Sequence, residues 1–296
     1  MKLKPKEIIL FVLTFFVLIL IFLGIGAYIY AGRFAKAAGL KRGQVISQVR
    51  KGLFQSVEDK QLSFLVLGLD KREHNNSMLT DTMMITTINR QTGDYLLFSL
   101  PRDLYLNDLK TKINALYYYG NKQNSQQPTK LPKQRIEHIL DTEIDYTITL
   151  TMEDIKELID FLGGVKIQVE NSFTDEEFPK DDGSGETTTI SFKKGTHSFD
   201  GERALQYMRS RKSNNEQENT DLARQNRQKQ VLMALKTKLL NSQGIATQPK
   251  RLGELYKFIQ QRFDLYPELN LQEITAIAKG GLKLVGGNQV EAQLPW

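Results

Sequence analysis

The chain has no cysteine, three histidines and a single tryptophan, Trp296. Lack of cysteine excludes disulfides, thiol nucleophiles and Cys-ligated zinc, and it is compatible with an exported domain. His74, His138 and His197 are scattered, which points to neither a histidine metal site nor a histidine–serine relay. No glycine-rich phosphate loop of the nucleotide-binding kind occurs, and no internal repeat. The formal charge is only +6, falling to +4 once Lys2, Lys4, Lys6 and Glu7 are set aside. That surplus is too small to argue for nucleic acid on its own.

What the chain does have is an uncharged run over residues 8–30. About 23 residues at ~1.5 Å rise each suffice to cross a hydrocarbon core, so a single transmembrane helix is predicted there. A cleaved signal peptide would account for Ala35-Lys36-Ala37, but signal h-regions run only ~7–15 residues. Lys2, Lys4 and Lys6 flank one end and Arg33, Lys36, Lys41 and Arg42 the other, so the positive-inside rule does not choose an orientation. The short leading tail fits an anchor that exports everything after it. The expected organisation is a tail at 1–7, an anchor at 8–30, a juxtamembrane connector at 31–61 and one large domain at 62–296.

Within that domain, residues 62–69, 83–89 and 95–100 are short β-rich runs bounded by Asp, Gly, Asn or Pro. Gln91-Thr92-Gly93-Asp94 reads as a hairpin turn between the last two. Helix is predicted from about 133 to 140. A strand at 146–150 then runs into Thr151-Met152-Glu153-Asp154, a capping-box-like start of a helix through Phe161 that Gly163-Gly164 stops. Residues 165–169 read as a strand. An acidic loop at 181–186 follows, then helices over 201–212, 221–240 and 271–284. Intermixed strands and helices give the α/β (α+β) class, a central mixed sheet flanked by helices.

Asp70 closes the first strand and Asp81 precedes the second. Two carboxylates at neighbouring strand ends suit a hard divalent cation with phosphate oxygens and water. Spacing alone favours the plainer role of capping loops. Arg102 and Asp103 follow Pro101 at the end of the third strand, where ligands tend to sit in α/β folds; Pro-Arg-Asp is as often a solvated turn. The densest charged group is Arg209 and Arg211 on one helix with Asp221, Arg224, Arg227 and Gln228 on the next. Asp221, Arg224 and Gln228 share a helix face, and arginine forks suit phosphate. A salt-bridge-laced solvated helix has the same pattern.

Taken together and in order, the pieces change this reading. They are Gly68-Leu69-Asp70, Asp81-Thr82-Met83-Met84, Ser99-Leu100-Pro101-Arg102-Asp103, Lys112-Ile113-Asn114-Ala115, Leu162-Gly163-Gly164-Val165, the run from Leu205 to Arg211 and the run from Asp221 to Gln228. The sequence resembles the LytR-CpsA-Psr family of Gram-positive cell-wall ligases over roughly residues 62–240. The resemblance implies that Asp70 and Asp81 hold Mg²⁺ (Mn²⁺ as the alternative ion). It also implies that Arg102, Arg209, Arg211, Arg224 and Gln228, with Lys112, bind a pyrophosphate. The expected partners are a polyprenyl-pyrophosphate-linked glycan, a peptidoglycan acceptor and the bilayer, with no nucleic acid. The domain is expected outside the cell, tethered by a single pass with a cytoplasmic N-terminus. One departure is Leu79, where the family usually has a basic residue; Lys71 or Arg72 could supply that charge.

The implied chemistry is phosphotransfer, in which a peptidoglycan hydroxyl attacks the glycan-side phosphorus and polyprenyl phosphate leaves. Mg²⁺ and an arginine cluster would stabilise the charge that develops on phosphate oxygens. Asp103 and Asp221 are the candidates to accept the hydroxyl proton, and each equally suits orienting an arginine. Reaction with water would make a polyprenyl-pyrophosphate phosphatase side activity. The alternative is a scaffold that binds polyprenyl lipid or wall polymer without turnover. A transcription regulator is disfavoured, since only Met1–Glu7 would lie in the cytoplasm.

Overall fold

The computed structural model describes residues 5–55, 61–69, 78–92, 94–180, 184–240, 247–267, 269–281 and 289–291, with side chains from Ile21 onward except at 240 and beyond 277. Asp70, Lys71, Arg72, His74, Gly93, residues 181–183, residues 282–284 and Trp296 therefore lie outside the described residues. The chain forms two compact units, one of residues 57–242, 262–269 and 278–296, the other of residues 1–56, 243–261 and 270–277.

The larger unit is built on the predicted mixed sheet. β1 (Gln61–Leu69), β2 (Thr80–Asn89) and β3 (Tyr95–Ser99) form an antiparallel meander. β6 (Tyr146–Thr151) lies parallel to β1, which requires a crossover, and that crossover is filled by two helices. Sheet order is β11-β6-β1-β2-β3-β12, with β11 at Asp264–Tyr266 and β12 at Gln289–Glu291. The crossover carries a small hairpin of β4 (Tyr105–Leu106) and β5 (Thr111–Lys112), then α3 (Leu116–Gln123) and α4 (Lys130–Leu140). Leu65, Leu67, Met83 and Ile85 pack against Leu116, Tyr117 and Ile136 of these helices. The alternation of apolar residues along β1 supplies that face.

α5 (Met152–Phe161) starts as its sequence predicts. Asp154 N donates to Thr151 Oγ1 at 3.1 Å, and Thr151 N donates back to Asp154 Oδ2 at 2.7 Å. Gly163 and Gly164 then take φ of +75° and +86°, which side-chain-bearing residues resist, and turn the chain into β7 (Val165–Val169). β8 (Phe173–Pro179), β9 (Thr187–Phe192) and β10 (Gly195–Phe199) follow; β8 pairs β9 and β10 pairs β7. The sequence reading did not separate these strands, because 173–179 is dominated by acidic and aromatic residues with weak alternation. α6 (Gly201–Arg209) ends before the predicted Lys212, and α7 (Asp221–Leu240) has its predicted bounds.

The smaller unit holds α1 (Pro5–Ala38), α2 (Arg42–Phe54), α8 (Pro249–Arg262, less its last residue) and α9 (Leu271–Gly281, to residue 277). Within it Phe34, Ala35 and Ala38 pack with Val45 and Leu271, flanked by Val49, Leu252 and Tyr256. α2 falls in the stretch read as a connector; Val45, Val49 and Gly52 at i, i+4, i+7 give it one packing stripe. α8 was not predicted. Among the residues described with side chains, which begin at Ile21, no helix is long and apolar enough to cross a membrane.

α5 and α6 approach so closely that a Cβ on Gly201 would meet the Lys156 carbonyl oxygen and stand 2.6 Å from Asp160 Oδ2. The Gly201 N–H meanwhile donates to Asp160 Oδ1 at 2.7 Å. Gly201→Ala is expected to cost about 1–3 kcal/mol by overpacking, measured as a lowered urea midpoint; an unchanged midpoint would contradict this packing.

Candidate functional site

β1, β3 and β6 all end at the edge of the sheet where β2 begins. The register there contains a bulge. Gly68 pairs with Thr82 and Leu69 with Thr80, which leaves Asp81 as an extra residue with no opposite number. An extra residue in one strand re-aims its side chain. Thr80, opposite Leu69, turns to the α3 side and donates to the Asn114 carbonyl at 3.1 Å. Thr82 lies on the other face, where its hydroxyl donates to Gln228 Oε1 of α7 at 3.0 Å.

Around Asp81 the charged side chains form an alternating file. Asp81 Oδ2 is 3.6 Å from Arg211 Nη2, and Oδ1 accepts from Arg102 Nη1 at 3.0 Å. Arg102 Nη2 is 3.7 Å from Asp221 Oδ2, and Asp221 Oδ1 is 3.2 Å from Arg224 Nη2. A side branch leaves Arg102 through Nε to Asp103 Oδ2 at 3.4 Å, and Asp103 Oδ1 accepts from Lys112 Nζ at 2.6 Å. Both ends of the file, Arg211 and Arg224, are positive.

Burial grades these groups. Arg224 is 4% exposed. Its burial first, and then the nearby Arg211, bring its pKa below the ordinary arginine value, against the pull of Asp221. Its buried Nε has no acceptor among the described residues. Arg102 also loses hydration, yet Asp81, Asp221 and Asp103 outweigh that and hold its pKa above the ordinary value. Cations aimed at one place with a buried donor unused are suited to an anion with several oxygens.

The structure therefore brings together Asp81, Arg102, Asp103, Lys112, Arg211, Asp221, Arg224 and Gln228. Arg209, two residues before Arg211, stands over the ring of Phe178 in β8, 5.7 Å from its centroid. Asp70 lies outside the described residues. Among the described residues no three His, Cys, Asp or Glu groups are arranged to enclose a metal by themselves. Beside the cluster a narrow apolar crevice between sheet and helices is lined by Val66, Met84, Leu150, Ile155, Met208 and Leu232. A wider cavity of about 650 Å³ opens on the other side of α7, against β7, and takes in none of the charged groups of the file.

Two residues were missed as contributors to the site. Arg227 stands in the charged group singled out from the sequence but is assigned no role there, and it is 2% exposed. Asp175 was not singled out, yet it is 1% exposed and accepts from the backbone of Arg211. Sequence spacing did carry a hint for the first: Arg227 sits at i+6 from Asp221, off the face shared by Asp221, Arg224 and Gln228.

The hydrogen bond from Lys112, aided by the charges of Lys112 and Arg102 and opposed by a little desolvation, holds the Asp103 carboxyl below the usual aspartate range. Lys112→Met is expected to move that pKa back up, read by carboxyl ¹³C NMR titration. A folded-state pKa below the unfolded one favours folding above the unfolded value and is lost as pH falls through the folded value. The variant should accordingly show a shallower loss of stability on the acid side. No change in the Asp103 titration would mean that the Lys112 pair is not formed in solution.

Comparison with known proteins gives the same picture. The polyisoprenyl-teichoic acid–peptidoglycan teichoic acid transferase TagU of Bacillus subtilis is 26% identical across 97% of this chain and 87% of its own length. The corresponding transferase TagT of B. subtilis is 31% identical, with 61% of this chain matched to 54% of TagT. A solved structure of TagT bound to LI-WTA is 25% identical with a TM-score of 0.55, covering 80% of each chain. The LytR_cpsA_psr family matches residues 29–289. The chain is a member of the LytR_cpsA_psr family.

Proposed function

We propose that this protein transfers a polyprenyl-pyrophosphate-linked anionic glycopolymer, such as teichoic acid or capsule, to peptidoglycan. The observation that carries this reading is the file Arg211–Asp81–Arg102–Asp221–Arg224 at the sheet edge, beside an apolar crevice. Its arginine ends offer bidentate donors to phosphate oxygens, and the crevice, about 20 Å³ as it stands, would have to open between sheet and helices to admit a prenyl chain against its apolar lining. The names of TagU and TagT support the same donor and acceptor classes.

A peptidoglycan hydroxyl oxygen attacks the glycan-side phosphorus. The bond from that phosphorus to the bridging oxygen breaks, and polyprenyl phosphate departs with the electron pair. The hydroxyl proton passes to a carboxylate, Asp103 or Asp221. Arg102 already touches both carboxylates, so a phosphate engaged by Arg102 would lie within reach of either. Arg211 and Arg224 would meet the negative charge that grows on the phosphate oxygens. With water in place of the hydroxyl, the same step is hydrolysis of the lipid pyrophosphate.

Hard carboxylate oxygen is the donor that Mg²⁺ or Mn²⁺ takes alongside substrate phosphates, and Asp81 fits that chemistry. Asp81 with Asp70 would hold the ion, which supplies charge neutralisation on the phosphates. Arg211 places a positive charge beside Asp81, which bears on the departure at Leu79.

Residues 8–30 are assigned as a single transmembrane anchor, with the N-terminus cytoplasmic and the catalytic domain extracellular. α1 is continuous through the whole uncharged run. Its described apolar side chains Ile21, Phe22, Leu23, Ile25 and Ile29 are exposed rather than packed into the fold. Lipid would cover them.

Full-length protein given a polyprenyl-pyrophosphate glycan, a peptidoglycan oligomer and Mg²⁺ is expected to release polyprenyl phosphate and form glycan–peptidoglycan product. Arg102→Ala and Asp81→Ala should each lower kcat/KM by about 100-fold or more, the loss typical of removing a charge that stabilises a transition state. Lipid binding without release, equal in wild type and both variants, would favour the scaffold reading.

A further inference from the structure

Arg227 heads the largest fully buried side chains of the described fold. All three of its nitrogens donate. Nε donates to the Tyr207 carbonyl at 2.9 Å, and Nη2 to the Ser210 carbonyl at 2.6 Å. Nη1 donates to the Glu218 carbonyl at 3.0 Å and to Glu218 Oε2 at 2.7 Å. The other Glu218 oxygen accepts from Asn171 Nδ2 at 3.0 Å. One guanidinium thus grips the last turn of α6, whose carbonyls have no partner within the helix, and the far end of the loop that follows. Arg211 lies in that loop.

Asp175 of β8 grips the same turn from another side. Its Oδ2 accepts from Ser210 Oγ at 2.7 Å and from the backbone N–H groups of Arg211 and Lys212, both at 3.1 Å. Its Oδ1 accepts from Glu177 N at 3.1 Å, which fixes the carboxylate plane. The backbone of Arg211 is therefore held at both neighbouring peptides, while its side chain runs out half-exposed to Asp81.

Buried ion pairs are a poor way merely to hold two helices together. An apolar pair of similar volume often does so as well or better, because two charges must be desolvated. What a fork of donors and a carboxylate provide that apolar contacts do not is direction. We infer that Arg227, Glu218 and Asp175 are positioning residues for Arg211, setting the direction in which its guanidinium meets the phosphate. This inference rests on the reaction proposed above.

The test uses the full chain in nanodiscs, with the lipid-pyrophosphate glycan as substrate. Variants are Arg211→Ala, Asp175→Asn, their double, and Arg227→Lys, which keeps the charge but cannot span three carbonyls. Asp175→Asn keeps the shape and is the variant on which the result turns if Arg227→Lys does not fold. A displacement of about 1 Å at a catalytic group typically costs about 100-fold, so Asp175→Asn and Arg211→Ala should each lower kcat/KM by that order. Adding Arg211→Ala to Asp175→Asn should cost less than about 3-fold more, since a misdirected arginine has little left to lose. Hydrogen exchange should show the Arg211 and Lys212 amides losing protection in Asp175→Asn while α7 keeps its own.

Costs that multiply in the double variant would overturn the inference. So would a lowered thermal midpoint with wild-type turnover, or retained amide protection. If the wild type turns over no substrate, the proposed reaction fails, and the exchange of the Arg211 and Lys212 amides alone decides whether the turn is held as inferred.

Discussion

Guanidinium groups placed side by side repel, and two unit charges about 4 Å apart near a protein surface interact by roughly 4 kcal/mol. Along the file the fold meets this by setting a carboxylate between successive arginines, although its two ends, Arg211 and Arg224, still repel each other. Arg211 and Arg102 share Asp81, and Arg102 and Arg224 share Asp221. Much of the surrounding architecture follows from the need to keep that alternation. The bulge at Asp81 turns one carboxylate into the file, and Pro101 ends β3 so that Arg102 can enter it. The first turn of α7 supplies Asp221 and Arg224 at i and i+3 on one face. In the proposed reaction an incoming phosphate would compete with the carboxylates for the arginines, so its binding would exchange existing ion pairs for new ones rather than fill a bare positive pocket.

Legibility of this arrangement in the sequence varied with the range of the interactions. α7 and β7 were readable to the residue because apolar period and glycine stops are local. Asp221 and Arg224 on one face followed from helix geometry alone. The joining of Arg211 to Asp81 was suggested only through resemblance to a family, because nothing in local spacing connects positions so far apart. The bulge was invisible for the same reason: it is a mismatch between two strands, and either strand by itself looks regular. β8 went unread because its outward acidic residues interrupt the alternation, and Asp175, its buried member, looked like one more surface acid. Arg227 shows the limit of composition. An arginine among arginines reads as solvated, and only the carbonyls of α6 reveal where it goes.

The two compact units carry different kinds of information. The larger bears every described member of the charged file, and its sheet explains their placement. The smaller collects the end of α1 with three other helices around Phe34, Ala35 and Val45. Family membership spans both, since the matched residues begin within α1 and end in β12.

The bulged strand and the turn after α6 also divide the charged file along the chain. Residues up to Lys112 contribute Arg102 and Lys112 against Asp81 and Asp103, two charges of each sign. Arg211, Asp221 and Arg224 come about a hundred residues later, and the Thr82–Gln228 bond spans 146 positions. The first half of the chain thus brings a balanced set of charges to the file. The net positive charge of the file comes from the last third of the sequence, whose α7 also supplies Leu232 to the wall of the crevice.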